Sequence, residues 1–209
     1  MSLSIENEAN IITSYEARIA SRSNVHFFIG LYPRIKNHIK YMIIRAIARL
    51  RGATIGKCTV LPYALAKKAN ANLIVGEHCC ISSSNLDLRA PLVIGNYVAI
   101  SKNVQIINAS HNVHSPHFET ILNSLEIQDY CWLAGCKVIP GVSVIKRGAV
   151  CGMGAVIVRN VSQLAIMGGN PASQIGQRKM VHSSYFPEAL LGGDLVVYVK
   201  CWRKSRQKL

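Results

Sequence analysis

Apolar positions in the middle of the chain recur every six residues. Stepping from Ile127 reads Ile127, Leu133, Ile139, Ile145, Cys151 and Ile157, branched aliphatics broken only by one thiol. Four residues after each come Cys131, Lys137, Ser143, Ala149, Ala155 and Val161, small except for Lys137. A second block steps through Ile94, Ile100 and Ile106, followed at the same offset by Val98, Val104 and Ser110. Weaker copies begin at Ile55, Val75 and Ile81. Helical faces repeat at about 3.6 residues and strand faces at about 2, so neither explains this period. A β-solenoid does: each unit of six supplies one short strand, whose aliphatic points inward, and one corner, where a small residue lets the chain turn. Gly76, Gly95, Asn96, Gly135, Gly141 and Gly148 fall between the strands, where corners are expected to need positive φ.

The register breaks once. Ile106 to Ile127 is 21 residues, not a multiple of six, so residues 110–126 must contain a loop thrown out of the repeat. It carries His111, His114 and His117. Loops held on a stiff scaffold are favoured places for function.

The ends follow other patterns. Ile35, Ile39, Met42, Ile43, Ile47 and Leu50 have helical spacing, with Pro33 suited to a helix start and Gly52 to its stop. The pattern fits a basic amphipathic helix capping the first coil, or one lying on a membrane surface. Ala9, Ile12, Tyr15 and Ile19 suggest a shorter helix before it, and Leu195-Val196-Val197-Tyr198-Val199 is a strand-like run near the other end. The chain thus divides into an N-terminal helical cap (1–52), a repeat domain (53–180) with its loop at 110–126, and a basic C-terminal tail (181–209).

Composition narrows the function. Half of the residues are hydrophobic and 16% are charged, which suits a packed core. No apolar run approaches the roughly 18 residues of a membrane span. The polar, acidic start does not read as a signal peptide, and seven cysteines without one suggest reduced thiols in the cytoplasm. Cys131 and Cys136 sit inside the repeat and read as core. The formal net charge of +14 favours an anionic partner, but no nucleic-acid motif accompanies it.

Residues 53–180 resemble the hexapeptide-repeat acetyltransferases, above all bacterial polysaccharide O-acetyltransferases of the colanic-acid type. The matching stretches are Ser110-His111-Asn112 followed by Ser115-Pro116-His117-Phe118, then Trp132, Val138-Ile139-Pro140-Gly141-Val142 and Gly168-Gly169-Asn170-Pro171-Ala172, in the family's order. The resemblance implies a mainly β fold, a left-handed parallel β-helix with N-terminal helices and a short C-terminal appendage. It implies a homotrimer with acetyl-CoA as cosubstrate in a cleft between subunits. It makes His111 the general base. It places Gly135 along the pantetheine arm, with Gly152, Met153 and Gly154 near its end. Val158-Arg159 stands where the family contacts the nucleotide, and Arg159 or Arg178 would pair with the 3′-phosphate. On the acceptor side, a hydroxyl of a sugar or polysaccharide precursor, it points to His114, Asp87 and Trp132. The family's aspartate after the catalytic histidine is Asn112 here, so His111 needs a backbone carbonyl, Asp87 or Glu119 to orient it.

Acetyl transfer to a hydroxyl needs a base for a proton of high pKa, a donor for the tetrahedral oxyanion and a grip on a polyanionic cosubstrate. Histidine, with a pKa of about 6.5, is mostly neutral in a cell and suits the first task. Two rival readings remain. One is a zinc enzyme like the γ-class carbonic anhydrases, drawing on His78, His111 and His114 or His117, although their histidine spacing is not matched. The other is a non-catalytic solenoid scaffold.

Overall fold

The computed structural model describes residues 15–181 and 185–207; Ala9 and Ile12 lie outside them. Two helices open the described chain, α1 (Tyr15–Ala20) and α2 (Asn24–Leu50). Ser23 caps α2, its Oγ accepting from the His26 backbone N–H at 3.3 Å. Pro33 therefore lies inside the helix rather than at its start. Expectation and structure also differ on which face packs. α2 buries Phe27, Tyr41, Ile44, Arg45 and Ala48. Of the apolar series read from the sequence, only Ile47 rests against the core, while Ile35, Ile39, Met42, Ile43 and Leu50 are exposed. The helix is apolar on two sides, and the side facing the rest of the chain decides which is covered. Buried Arg45 is accommodated because its Nη1 donates to the Thr59 carbonyl at 3.0 Å.

The chain then runs in circuits. The first holds β1 (Thr54–Ile55) and α3 (Tyr63–Lys68), the second β2 (Leu73–Val75) and β3 (Cys80–Ile81). The third is complete, with β4 (Leu92–Ile94), β5 (Ala99–Ile100) and β6 (Gln105–Ile106). A hairpin of β7 (Ala109–His111) and β8 (Thr120–Leu122) interrupts before β9 (Leu125–Ile127), β10 (Trp132–Leu133) and β11 (Lys137–Val138). The fifth circuit is β12 (Val144–Ile145), β13 (Val150–Cys151) and β14 (Val156–Ile157). Strands β1, β2, β4, β9 and β12 stack in parallel as one sheet. A second parallel stack is β3, β5, β10 and β13, continued by β15 (Ala165–Gly168), and a third is β6, β11 and β14. The chain visits the three in rotation. In sequence, α3 stands where the first circuit would add to the third sheet, and the second circuit reaches it only through a Leu86–Ile106 bridge.

The short strands of the stack turn one or two residues into the core, and those residues define the true frame. Ile127, Leu133, Ile145, Cys151 and Ile157 are buried as the period predicts, but the third-sheet position of the fourth circuit belongs to Val138, not Ile139. Val138 pairs with Ile106 below and Ile157 above, while Ile139 is half-buried. The frame slips by one residue and recovers at the corner through Gly141, whose φ is 97°. This also disposes of Lys137 as an odd small position: fully buried Cys136 takes that place, and Lys137 points outward. Gly76 and Gly95 are corners for a different reason than expected. A Cβ on Gly76 would lie 2.5 Å from Asn96 Oδ1 and one on Gly95 would lie 2.8 Å from the Asp129 backbone nitrogen, so close stacking of the circuits excludes a side chain. The positive φ nearby falls on His78 and Tyr97 instead.

The repeat ends in an antiparallel pair, β15 with β16 (Ser173–Gln177), turning through the Gly169-Asn170-Pro171-Ala172 segment. A 3-10 turn (Pro187–Leu191) leads to α4 (Leu195–Arg206). The strand-like run at Leu195 is thus helical. Val197, Tyr198 and Cys201 fall on one helical face and pack with Ile19 and Phe27, a tertiary contact that outweighs the β preference of adjacent valines. Fully buried Glu188 takes a 2.6 Å hydrogen bond with His78 Nδ1, tying the turn to the second circuit.

Candidate active site

The hairpin leaves the stack where the chain passes from the third sheet to the first. Its base is anchored by Asp87 in the circuit below, whose carboxylate accepts from the Asn108 backbone N–H at 3.1 Å, while Asn123 N–H donates to the Asn108 carbonyl at 2.8 Å. Arg89 clamps the same carboxylate through Nε and Nη2 and, with its own backbone N–H and that of Asn108, holds its pKa down at about 2. Asp87 is therefore committed to the hairpin base.

At the end of β7, His111 is exposed and pairs with Thr120 across the hairpin. Its ring stacks on Phe118 with centroids 4.5 Å apart and planes within 7°. Its Nδ1 lies 2.9 Å from the Phe118 carbonyl oxygen. A carbonyl can only accept, so Nδ1 carries the proton and Nε2 keeps a free lone pair, the form a general base requires. Phe118 holds a left-handed backbone with φ of 47°, rare for a bulky residue and of the kind retained where a site demands it. Of the three possible supports for His111, the structure thus shows the backbone carbonyl.

Asn112 and Glu119 do something else. Asn112 Nδ2 donates to Glu119 Oε1 at 2.7 Å, and their backbones join through Asn112 N–H and the Glu119 carbonyl at 3.0 Å. Asn112 Oδ1 also accepts from the His114 N–H at 3.2 Å, and Ser115 Oγ accepts from the His117 N–H at 3.3 Å. Ser115 and Asn112 hold the Glu119 carboxyl below its ordinary range. The loop tip is a self-bonded turn that presents His114 and His117 to solvent.

Gly135 and Met153 share the corner between the second and third sheets. Gly154 N–H donates to the Gly135 carbonyl at 3.1 Å, and a Cβ added to Gly135 would meet Met153 Cγ at 3.5 Å. Gly152 N–H donates to the Met167 carbonyl at 2.8 Å. Val158 and exposed Arg159 lie just past β14, on the opposite margin of the third sheet. That narrow sheet, with Lys137 exposed on it, runs between the glycine corner and the corner from which the hairpin rises. Trp132 is exposed on the second sheet, beside Ala99 and Val150. Arg178 departs from this arrangement. Its Nη1 donates to the carbonyls of Tyr130 and Gly148, 3.2 and 3.1 Å away, at the corner between the first and second sheets. It acts there as a backbone clamp through Nη1.

His78 stands apart from the hairpin histidines. It stacks on Tyr97, which stacks on Tyr130, in a corner column. Among the described residues no three His, Cys, Asp or Glu side chains gather as a metal-binding group within the chain. Burial pushes the Cys79 and Cys131 thiols up to about 12, which makes them poor ligands and poor nucleophiles and suits their place in the core.

No known protein-family profile matches the chain. It is 27% identical over 169 residues to a Saccharomyces cerevisiae protein named as a candidate acetyltransferase, an alignment covering 76% of this chain and 80% of that one. A Schizosaccharomyces pombe protein named likewise is 34% identical over 93 residues, 41% of this chain and 43% of that relative's own length. The crystal structure of a hexapeptide-repeat acetyltransferase from Vibrio cholerae matches with a TM-score of 0.58 at 22% identity, covering 77% of this chain and 96% of the other. At that identity the likeness establishes a common fold.

Proposed function

We propose that the chain is an acetyltransferase that moves the acetyl group of acetyl-CoA to a hydroxyl of a sugar or polysaccharide precursor, with His111 as general base. One observation carries the reading: an imidazole on a projecting hairpin whose Nδ1 proton is fixed on the Phe118 carbonyl, leaving Nε2 to accept a proton. Nε2 takes the acceptor's hydroxyl proton as the oxygen attacks the thioester carbon. The tetrahedral intermediate collapses with cleavage of the carbon–sulfur bond, and the imidazolium returns its proton to the leaving thiolate. The Phe118 carbonyl stabilises the transient imidazolium as a dipole, in place of a carboxylate.

The glycine corner fits a pantetheine arm, because a Cβ at Gly135 would make ordinary contacts with Met153 Cγ at 3.5 Å and Asn103 Cβ at 3.8 Å, leaving the corner backbone uncrowded and open to a ligand. Arg159, exposed on the other margin of the third sheet, is the cation we assign to the 3′-phosphate. The fold shared with the Vibrio cholerae enzyme, whose name includes the hexapeptide repeat, supports a left-handed β-helix. We assign the chain to a homotrimer with the site between subunits. His114 and Trp132 are assigned to the acceptor, and the protein is assigned to the cytoplasm.

Thiol release from acetyl-CoA, screened over nucleotide sugars and oligosaccharides, tests the proposal. His111→Ala is expected to lower turnover by about 10²- to 10⁴-fold with an unchanged melting temperature, since the side chain is exposed. Turnover that survives the substitution would remove His111 from the role, and absence of any acetyl-CoA turnover would favour a scaffold.

A further inference from the structure

The outer side of α2 is apolar along its whole length. Val25, Phe28, Tyr32, Ile39, Ile43 and Leu50 recur every three to seven residues on the side opposite the buried Tyr41, Ile44 and Ala48. Phe28 is 65% exposed, Tyr32 75% and Leu50 87%. With 27 residues the helix is about 40 Å long, so this is a continuous stripe rather than a scatter of surface hydrophobics. Contiguous exposed stripes of this size mark interaction surfaces.

The charge around the stripe identifies what covers it. Residues 17–76 contain no Asp or Glu and eleven Lys or Arg. Some of these cations are engaged: Arg34 pairs with Asp194, and Arg45 and Arg49 donate to the carbonyls of Thr59 and Ile55. Lys36, Lys40 and Arg51 are exposed and make no ion pair among the described residues. They lie along one margin of the stripe. α4, packed against the start of α2 through Phe27 and Trp202, adds exposed Lys200, Arg203 and Lys204, which line a shallow groove with Val196. Two copies meeting stripe to stripe would press these cationic segments together, whereas an anionic lipid surface satisfies both the apolar stripe and its basic margin. No described helix is long and apolar enough to cross a membrane, so the geometry is one of lying on the surface.

We infer that α2 docks in the plane of an anionic bilayer, with Phe28, Tyr32, Ile39 and Ile43 entering the boundary between headgroups and acyl chains and Lys36, Lys40 and Arg51 at the phosphates. This does not depend on the acetyltransferase reading. Docking would hold the protein near lipid-borne acceptors, and it would equally hold a scaffold there.

Flotation of the full chain with vesicles provides the test, comparing phosphatidylglycerol-containing vesicles with pure phosphatidylcholine. The wild type is expected to float with the anionic vesicles and roughly tenfold less with neutral ones. Ile39→Glu with Ile43→Glu should remain in solution, its circular dichroism unchanged because both sites are half-exposed. Should that pair disturb folding, Tyr32→Ser with Ile39→Ser serves the same purpose. Lys36→Gln with Lys40→Gln should lower partitioning to anionic vesicles roughly tenfold or more and leave neutral vesicles unaffected. The inference is overturned if the wild type floats with neither vesicle, if the apolar variants float as it does, or if the lysine pair changes nothing. It is also overturned if the isoleucine variants instead lower the sedimenting mass, which would show that a second copy covers the stripe. Acetyl transfer to a soluble acceptor should be the same in all variants, so the two readings fail separately.

Discussion

At the scale of single residues, the hairpin shows how a proposed general base can be held by the backbone when the motif around it changes. The motif that resembles the family carries an amide, Asn112, after the histidine. The structure explains why the amide suits this chain: Nδ2 donates to Glu119 while Oδ1 accepts from the backbone of His114. An aspartate there would lose the donor and set two carboxylates against each other. Asn112→Asp, nominally a return to the family pattern, is therefore expected to lower turnover roughly two- to tenfold through disorder of the turn that holds Phe118. Adding Glu119→Gln should restore it, since the amide then donates to the new carboxylate. Initial rates of thiol release in the single and double variants measure both effects. The spacing of Ser110-His111-Asn112 made His111 legible in the sequence. Its partner was not, because the Phe118 carbonyl belongs to the backbone and reaches the ring only once the hairpin closes across seven residues.

At the scale of elements, the slip of frame on the third sheet is the clearest case of packing correcting a pattern. A strict step of six chooses Ile139, an apolar residue that looks suitable. The parallel register with Ile106 and Ile157 chooses Val138. In urea denaturation Val138→Ala is expected to cost about 2 kcal/mol and Ile139→Ala distinctly less, although isoleucine is the larger side chain. The reverse ranking would restore the uninterrupted period. The same kind of competition decides α4, where a run of valine and tyrosine that reads as strand becomes a helix because Tyr198 and Cys201 close on Phe27 and Ile19.

At the scale of the whole molecule, polar ties join the stack to the segments outside it, and one of them is sensitive to pH. The His78–Glu188 hydrogen bond raises the His78 pKa above its ordinary value against the opposing effect of burial, with Glu77 reinforcing it and Lys200 resisting. A raised histidine pKa contributes stability that is fully present below the unfolded value of about 6.5 and is lost as pH rises through the folded value. Melting temperature should therefore fall as pH rises above the unfolded value of about 6.5, and the fall should be shallower in His78→Gln. Equal slopes would mean that the pair adds nothing to the union of the C-terminal turn with the second circuit.

Local chain geometry was enough for the repeat, the small residues beside it and the break that throws out the histidine loop, because a short strand followed by a corner enforces its own spacing. It was enough, too, for a helix near residues 33–51, since apolar residues at helical intervals have few other uses. Neighbours were needed for everything that involved a choice between equivalent local options. Which of two apolar faces of α2 meets the stack, whether Val138 or Ile139 turns inward, which carbonyls Arg178 clamps, and what grips His111 all depend on atoms far away in sequence. Burial of surface and satisfaction of backbone polar groups are settled across the assembled chain, where the local pattern has no say.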